Sequence, residues 1–107
     1  MALYELRLYR IRDGQMDAWL ELMEGEIIPF QASKGMVITA SFRGEDDPNS
    51  YVWIRRFEDE AERARLYDDV YGSEHWKTEI SPRVGELMIR EEMVVHRLEP
   101  TRMSTLR

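Results

Sequence analysis

The apolar residues of this chain recur with a period of two, then near 3.6, then two in a pair of successive runs, then 3.6 and two again, an order that few folds accommodate. From Leu3 to Arg12, Tyr4, Leu6 and Leu8 alternate with Glu5, Arg7 and Tyr9, giving a strand with one apolar and one amphipathic face. Asp13-Gly14 supplies a turn and an N-cap, after which Met16, Trp19, Leu20, Met23, Ile27 and Phe30 share a helical face. Pro29 falls in the last turns, where its ring presses on the Gly25 carbonyl, so a kink or an early end is expected. Lys34-Gly35 stops the segment.

Met36 to Gly44 alternates again, with Ile38, Ala40 and Phe42 opposite Val37, Thr39, Ser41 and Arg43. The polar run from Glu45 to Ser50 turns the chain into a β-branched and aromatic strand, Tyr51 to Phe57, completing a hairpin. Asp59 with Glu62 opens a second helix through about Tyr71, and Gly72 breaks it. Ser73 caps a further segment bearing Trp76, Ile80, Val84 and Leu87, although Pro82 interrupts it. Arg90 to Pro100 closes the domain as a fourth strand. Residues 1–100 thus make one domain, and 101–107 are expected to be a flexible C-terminal tail.

This order, βαββαβ, belongs to the α+β class: a ferredoxin-like four-stranded antiparallel sheet with helices on one face. A chain of 107 residues cannot cover the other face by itself, so a homodimer is expected, with Arg7 and Arg55 aimed at the face between subunits.

Composition narrows the chemistry. With no cysteine, disulfides, thiolate nucleophiles and cysteine-held metal centres are excluded. A net charge of −6 argues against general nucleic-acid binding. The aromatic strand Tyr51 to Phe57 also lacks the glycines of an RNA-recognition sheet. Glu5 and Arg7 stand where a signal peptide needs an apolar run, and no stretch approaches a membrane span, so a cytoplasmic protein is expected. The 15 basic residues include only Lys34 and Lys77 as lysines, and arginine suits planar pairing with carboxylates or stacking on rings.

Several segments in order resemble the NIPSNAP family of dimeric α/β-barrel proteins over about residues 3–100: Tyr4-Glu5-Leu6-Arg7-Leu8-Tyr9, Ile28-Pro29-Phe30 before Lys34-Gly35, Val52-Trp53, Phe57 to Arg63, and Glu74-His75-Trp76. The resemblance implies a homodimer whose two sheets form a barrel, with a cavity between each sheet and its partner's elements. It implies no particular reaction.

Glu5, Arg7 and Tyr9 project from one face of the first strand, joined by Thr39, Ser41, Trp53 and Arg55 if the registers match. Glu5 can pair with Arg7. Arg7, Tyr9, Trp53 and Arg55 form a candidate ligand-binding set, with an aromatic wall, anion partners and a hydroxyl; the same residues could equally hold a dimer interface. Glu5, Tyr9 and His75 are candidate acid–base groups. His75 and His96 are the only histidines and form no paired motif, so no metal is expected. No Gly-x-Gly-x-x-Gly or Walker pattern occurs, and no cofactor is expected. Three functions fit these residues: a homodimer binding a small apolar or carboxylated metabolite, a cofactor-independent monooxygenase- or isomerase-like enzyme, and a purely structural or interaction protein.

Overall fold

The computed structural model describes residues 2–107. Strand β1 (Leu3–Arg10) leads into α1 (Met16–Leu22), which passes through a π-helical turn, Met23–Ile27, into α2 (Ile28–Ser33). Strands β2 (Val37–Arg43) and β3 (Ser50–Phe57) follow as a hairpin. Helix α3 (Glu60–Tyr71), a second π-helical turn, His75–Ile80, and α4 (Ser81–Leu87) lead through a short 3-10 turn, Arg90–Glu92, to β4 (Val94–Leu98). The sheet is antiparallel in the order β2-β3-β1-β4, the ferredoxin-like arrangement. The closing strand is shorter than the sequence pattern suggested, because Arg90–Glu92 is spent on the 3-10 turn.

The two prolines within helices fall where those helices widen. The Ile28 N–H bonds to the Met23 carbonyl and the Ser81 N–H to the Trp76 carbonyl, each five residues back. Pro29 and Pro82 follow immediately, and neither has an N–H to give. A π turn absorbs the missing bond by taking one residue more, so the chain stays helical where a kink or an end was expected. Gln15, without a side-chain bond, precedes α1 in place of Asp13; the Asp13 carboxylate instead accepts from Asn49 Nδ2 at 2.5 Å. Asp59 caps α3 as expected, accepting from the Glu62 N–H at 2.8 Å, and Ser73 Oγ accepts from the Trp76 N–H at 3.1 Å.

The expected assignment of sheet faces is reversed. Glu5, Tyr9, Tyr51, Trp53, Arg55 and Phe57 lie under the chain's own helices, all of them buried. Rings supply most of this layer: Tyr9 meets Trp19 edge to face at 5.7 Å, and Trp19 meets Tyr51 at 5.8 Å. Arg7 and Arg55 therefore point beneath the chain's own helices. The aliphatic face instead looks outward, with Leu8, Phe42, Val94 and Leu98 exposed and Leu6, Val52 and Ile54 half-buried. The β1–β3 and β1–β4 registers place Leu8 beside Val52 and Val94 on that outer side.

The alternation expected for β2 also fails at one point. A register shift between Ile38 and Ala40 leaves Thr39 as an extra residue, so Ile38 sits opposite Arg55 on the helix side while Ala40 and Phe42 turn outward. After the shift Ser41 returns to the helix side opposite Trp53, and its hydroxyl lies 2.6 Å from the Tyr51 hydroxyl. At the C-terminus, the Ser104 N–H bonds to the Thr101 carbonyl, and Leu106 shares a shallow outer groove with Tyr4, Ile54 and Leu98.

Candidate functional site

Two sites on the helix side of the sheet are continuous with each other: a buried ionic cluster beneath α3, and a cavity beneath the two π turns. The cluster begins with the β1–β3 register, which sets Glu5 directly opposite Arg55. Arg55 Nη2 donates to Glu5 Oε1 at 2.8 Å, and both side chains are completely buried. Arg63 Nε reaches Glu5 Oε2 at 2.6 Å from α3, and the Tyr67 hydroxyl lies 2.7 Å from both carboxylate oxygens. Arg55 Nη1 donates to Gln31 Oε1 at 2.8 Å and to the Tyr71 hydroxyl at 2.7 Å. Its guanidinium is also ringed by Trp53, Phe57, Tyr67 and Tyr71, the nearest centroid being that of Trp53 at 4.7 Å. Burial would raise the Glu5 carboxyl, but Arg55, the Tyr67 hydroxyl and Arg63 outweigh it and hold the group below its ordinary value. Burial pushes the Tyr67 phenol up to about 12, so it stays a proton donor toward Glu5.

Glu5 has thus spent its oxygens on Arg55, Arg63 and Tyr67. Arg7, expected to be its partner, is left at 3.9 Å. Its Nε donates to the Tyr9 hydroxyl at 2.7 Å, its Nη1 to the Tyr67 hydroxyl at 3.2 Å, and its Nη2 to Met93 Sδ at 3.1 Å. No carboxylate among the described residues approaches it more closely than Glu5. Three arginines therefore surround one carboxylate, and only Arg63 has a second acid nearby, Glu60 at 3.3 Å.

Arg7 forms part of the wall of a cavity of about 190 Å³. Tyr9, Trp53 and Met93 border it from the sheet side, Met23 and Ile27 from the first π turn, and Trp76 from the second. Both widened turns thus deliver side chains to one space, as π segments often do at functional sites. Tyr71, Val84 and Arg90 complete the rim, where Arg90 Nη2 bonds to the Ser81 carbonyl at 2.6 Å. Burial raises the Tyr9 phenol, offset in part by Arg7, so the hydroxyl keeps its proton while accepting from Arg7 Nε.

Arg7, Tyr9 and Trp53 are therefore brought together at the cavity, while Arg55 and Glu5 sit behind that wall. The space lies between the chain's sheet and its own helices. His75 lies outside it, with its ring 4.8 Å from Phe30. Thr39 is at the bulge, its hydroxyl donating to the Ile54 carbonyl at 3.2 Å. Sequence reasoning missed Tyr67, Tyr71 and Gln31 as partners of Arg55. The spacing of Tyr67 and Tyr71 on one helical face was a usable signal, whereas Gln31 gave none. Among the described residues no three His, Asp or Glu side chains gather as a metal site, and no helix is long and apolar enough to cross a membrane.

A family model for NIPSNAP matches residues 4–105. The chain belongs to the NIPSNAP family. A crystal structure of a NIPSNAP family protein from Agrobacterium tumefaciens is 28% identical over 100% of both chains, with a TM-score of 0.87. A second from the same organism, described as of unknown function, is 27% identical over 99% of this chain and 94% of its own, with a TM-score of 0.88. The NIPSNAP fold extends to an antibiotic biosynthesis monooxygenase, 20% identical over 92% of this chain and 98% of that one at a TM-score of 0.68, a likeness of fold alone. No curated protein matches the chain.

Proposed function

We propose that this NIPSNAP protein is a homodimer that binds a small organic carboxylate in the cavity between each sheet and its own helices. The observation that carries the reading is Arg7, a cation on the cavity wall whose nearest carboxylate is 3.9 Å away and already bonded to Arg55, Arg63 and Tyr67. A partly buried charge without a close carboxylate of its own gains from one, and an anionic ligand supplies it. Apolar side chains such as Met23, Ile27 and Val84 make up much of the remaining wall, which suits the hydrocarbon part of such a molecule. Arg7, Tyr9 and Trp53 are the contacts, and Arg55 holds the layer behind them.

The dimer reading rests on the outer sheet face. Leu8, Phe42, Val94 and Leu98 are exposed there beside Leu6, Val52 and Ile54, an apolar surface that a second copy would cover isologously.

A thermal-shift series with sodium carboxylates and the matching neutral amides tests the binding reading. The acids raise Tm in a concentration-dependent way, the amides do not, and Arg7→Gln abolishes the difference. If no carboxylate raises Tm, or acid and amide act alike, the reading fails.

A further inference from the structure

Resting on the carboxylate reading above, we infer that the ligand is a single-ring aromatic acid, seated with its ring among Trp53, Trp76 and Tyr71 and its carboxylate at Arg7 and Tyr9. Three observations lead there independently of one another.

The first is size. A dry apolar cavity of about 150 Å³ holds benzene. At about 190 Å³, this half-open space has room for one six-membered ring with a one-carbon acid group. The second is shape and surface. Tyr9, Trp19, Trp53, Tyr71 and Trp76 all present rings to it, and the aromatic pairs among them already meet at steep angles, Tyr71 with Trp76 at 86° and Tyr9 with Trp53 at 63°. A planar ring extends such an edge-to-face array, whereas a flexible alkyl chain gains nothing from its geometry and loses rotamer freedom on entry.

The third is a surplus of donors. The Tyr9 hydroxyl accepts from Arg7, and no acceptor among the described residues takes its hydrogen. The indole N–H groups of Trp19 and Trp53 and the Nε of Arg55 are buried without any partner among the described residues. Arg7 Nη2 has only a thioether sulfur, Met93 Sδ. Unpaired donors thus collect in and behind one wall, where acceptors are scarce. A carboxylate supplies acceptor lone pairs and brings no donor of its own. Its two oxygens match the pair formed by the Arg7 guanidinium and the neutral Tyr9 phenol, and both bonds are charge-assisted because the acceptor is ionised.

Isothermal titration of the intact protein with benzoate, cyclohexanecarboxylate, hexanoate and benzyl alcohol separates these terms, with tryptophan fluorescence as a second readout. Benzoate is expected to bind at least tenfold more tightly than any of the other three and to perturb the emission of the wall tryptophans. Tyr9→Phe is expected to weaken benzoate several-fold. If hexanoate or cyclohexanecarboxylate binds as well as benzoate, the aromatic assignment is overturned while carboxylate binding stands. If benzyl alcohol matches benzoate, or no acid binds, both readings are overturned. The ligand series needs no substitution, so a Tyr9→Phe protein that folds poorly does not shield the inference.

Discussion

Arg55 and Glu5 face each other across adjacent strands, 2.8 Å apart, and neither side chain reaches solvent. Removing Arg55 leaves the buried Glu5 carboxylate with only Arg63 and Tyr67 in an aromatic interior, so Arg55→Met is expected to lower unfolding stability by about 3–5 kcal/mol. Urea denaturation measures it. The Glu5→Gln/Arg55→Met double variant is expected to lose clearly less than the sum of the single losses, because it removes both of the fully buried charges together. Additive losses would show that the two groups are energetically independent.

The same carboxylate gives the fold an acid sensitivity with a definite sign. Glu5 is held below its ordinary value in the folded chain because Arg55, Tyr67 and Arg63 overcome the effect of burial. Its contribution is therefore complete above the unfolded value of about 4.3 and is lost as pH falls through the lower folded value. Glu5→Gln is expected to flatten the decline of stability below about pH 5. Melting temperatures of both proteins from pH 3 to pH 7, taken as about the range that brackets this titration, provide the check.

The outer face is expected to decide assembly. Leu8 lies between Val52 and Val94 in the register and is exposed in the single protomer. Leu8→Lys should convert the proposed dimer to a monomer in sedimentation equilibrium while leaving far-UV circular dichroism unchanged. A wild-type protein that sediments as a monomer would remove the dimer from the proposed function.

Two glycines should respond in opposite directions. Gly25 sits inside the first π turn with no atom within 4 Å of an added Cβ, so Gly25→Ala is expected to add roughly 0.5–1 kcal/mol of stability by restricting the unfolded chain. Gly35 has φ +109° and an added Cβ would meet Leu66 Cδ2 at 3.4 Å, so Gly35→Ala is expected to cost roughly 1–2 kcal/mol. Chemical denaturation of the two variants side by side measures both.

The order of elements was legible from periodicity, because each run of the chain covers only one face and changes period at a turn residue. Which face of β1 turned inward was not. Tyr4, Leu6 and Leu8 look like the core side of a lone strand, and Glu5, Arg7 and Tyr9 do not. The inward choice depends on Arg55, Arg63 and Tyr67, which lie 50, 58 and 62 residues from Glu5 and satisfy its charge only after the sheet and α3 have met. Arg7, Tyr9 and Trp53 could be grouped from sequence since they share one strand parity and one cross-strand register. Met23, Ile27 and Trp76 could not be added to them, because their aim depends on π turns whose only trace in the sequence is a following proline. The bulge at Thr39 left no mark at all in the pattern of β2.

Because successive residues of β1 point to opposite sides, one strand carries two specifications in alternate letters. Glu5, Arg7 and Tyr9 are read by the interior, and Leu6 and Leu8 are read by whatever meets the outside of the sheet. Substitution at the odd positions can retune what the cavity holds while the even positions keep the outer surface as it was, and the converse is equally open. A strand built this way can change its interior without altering the surface it shows outside.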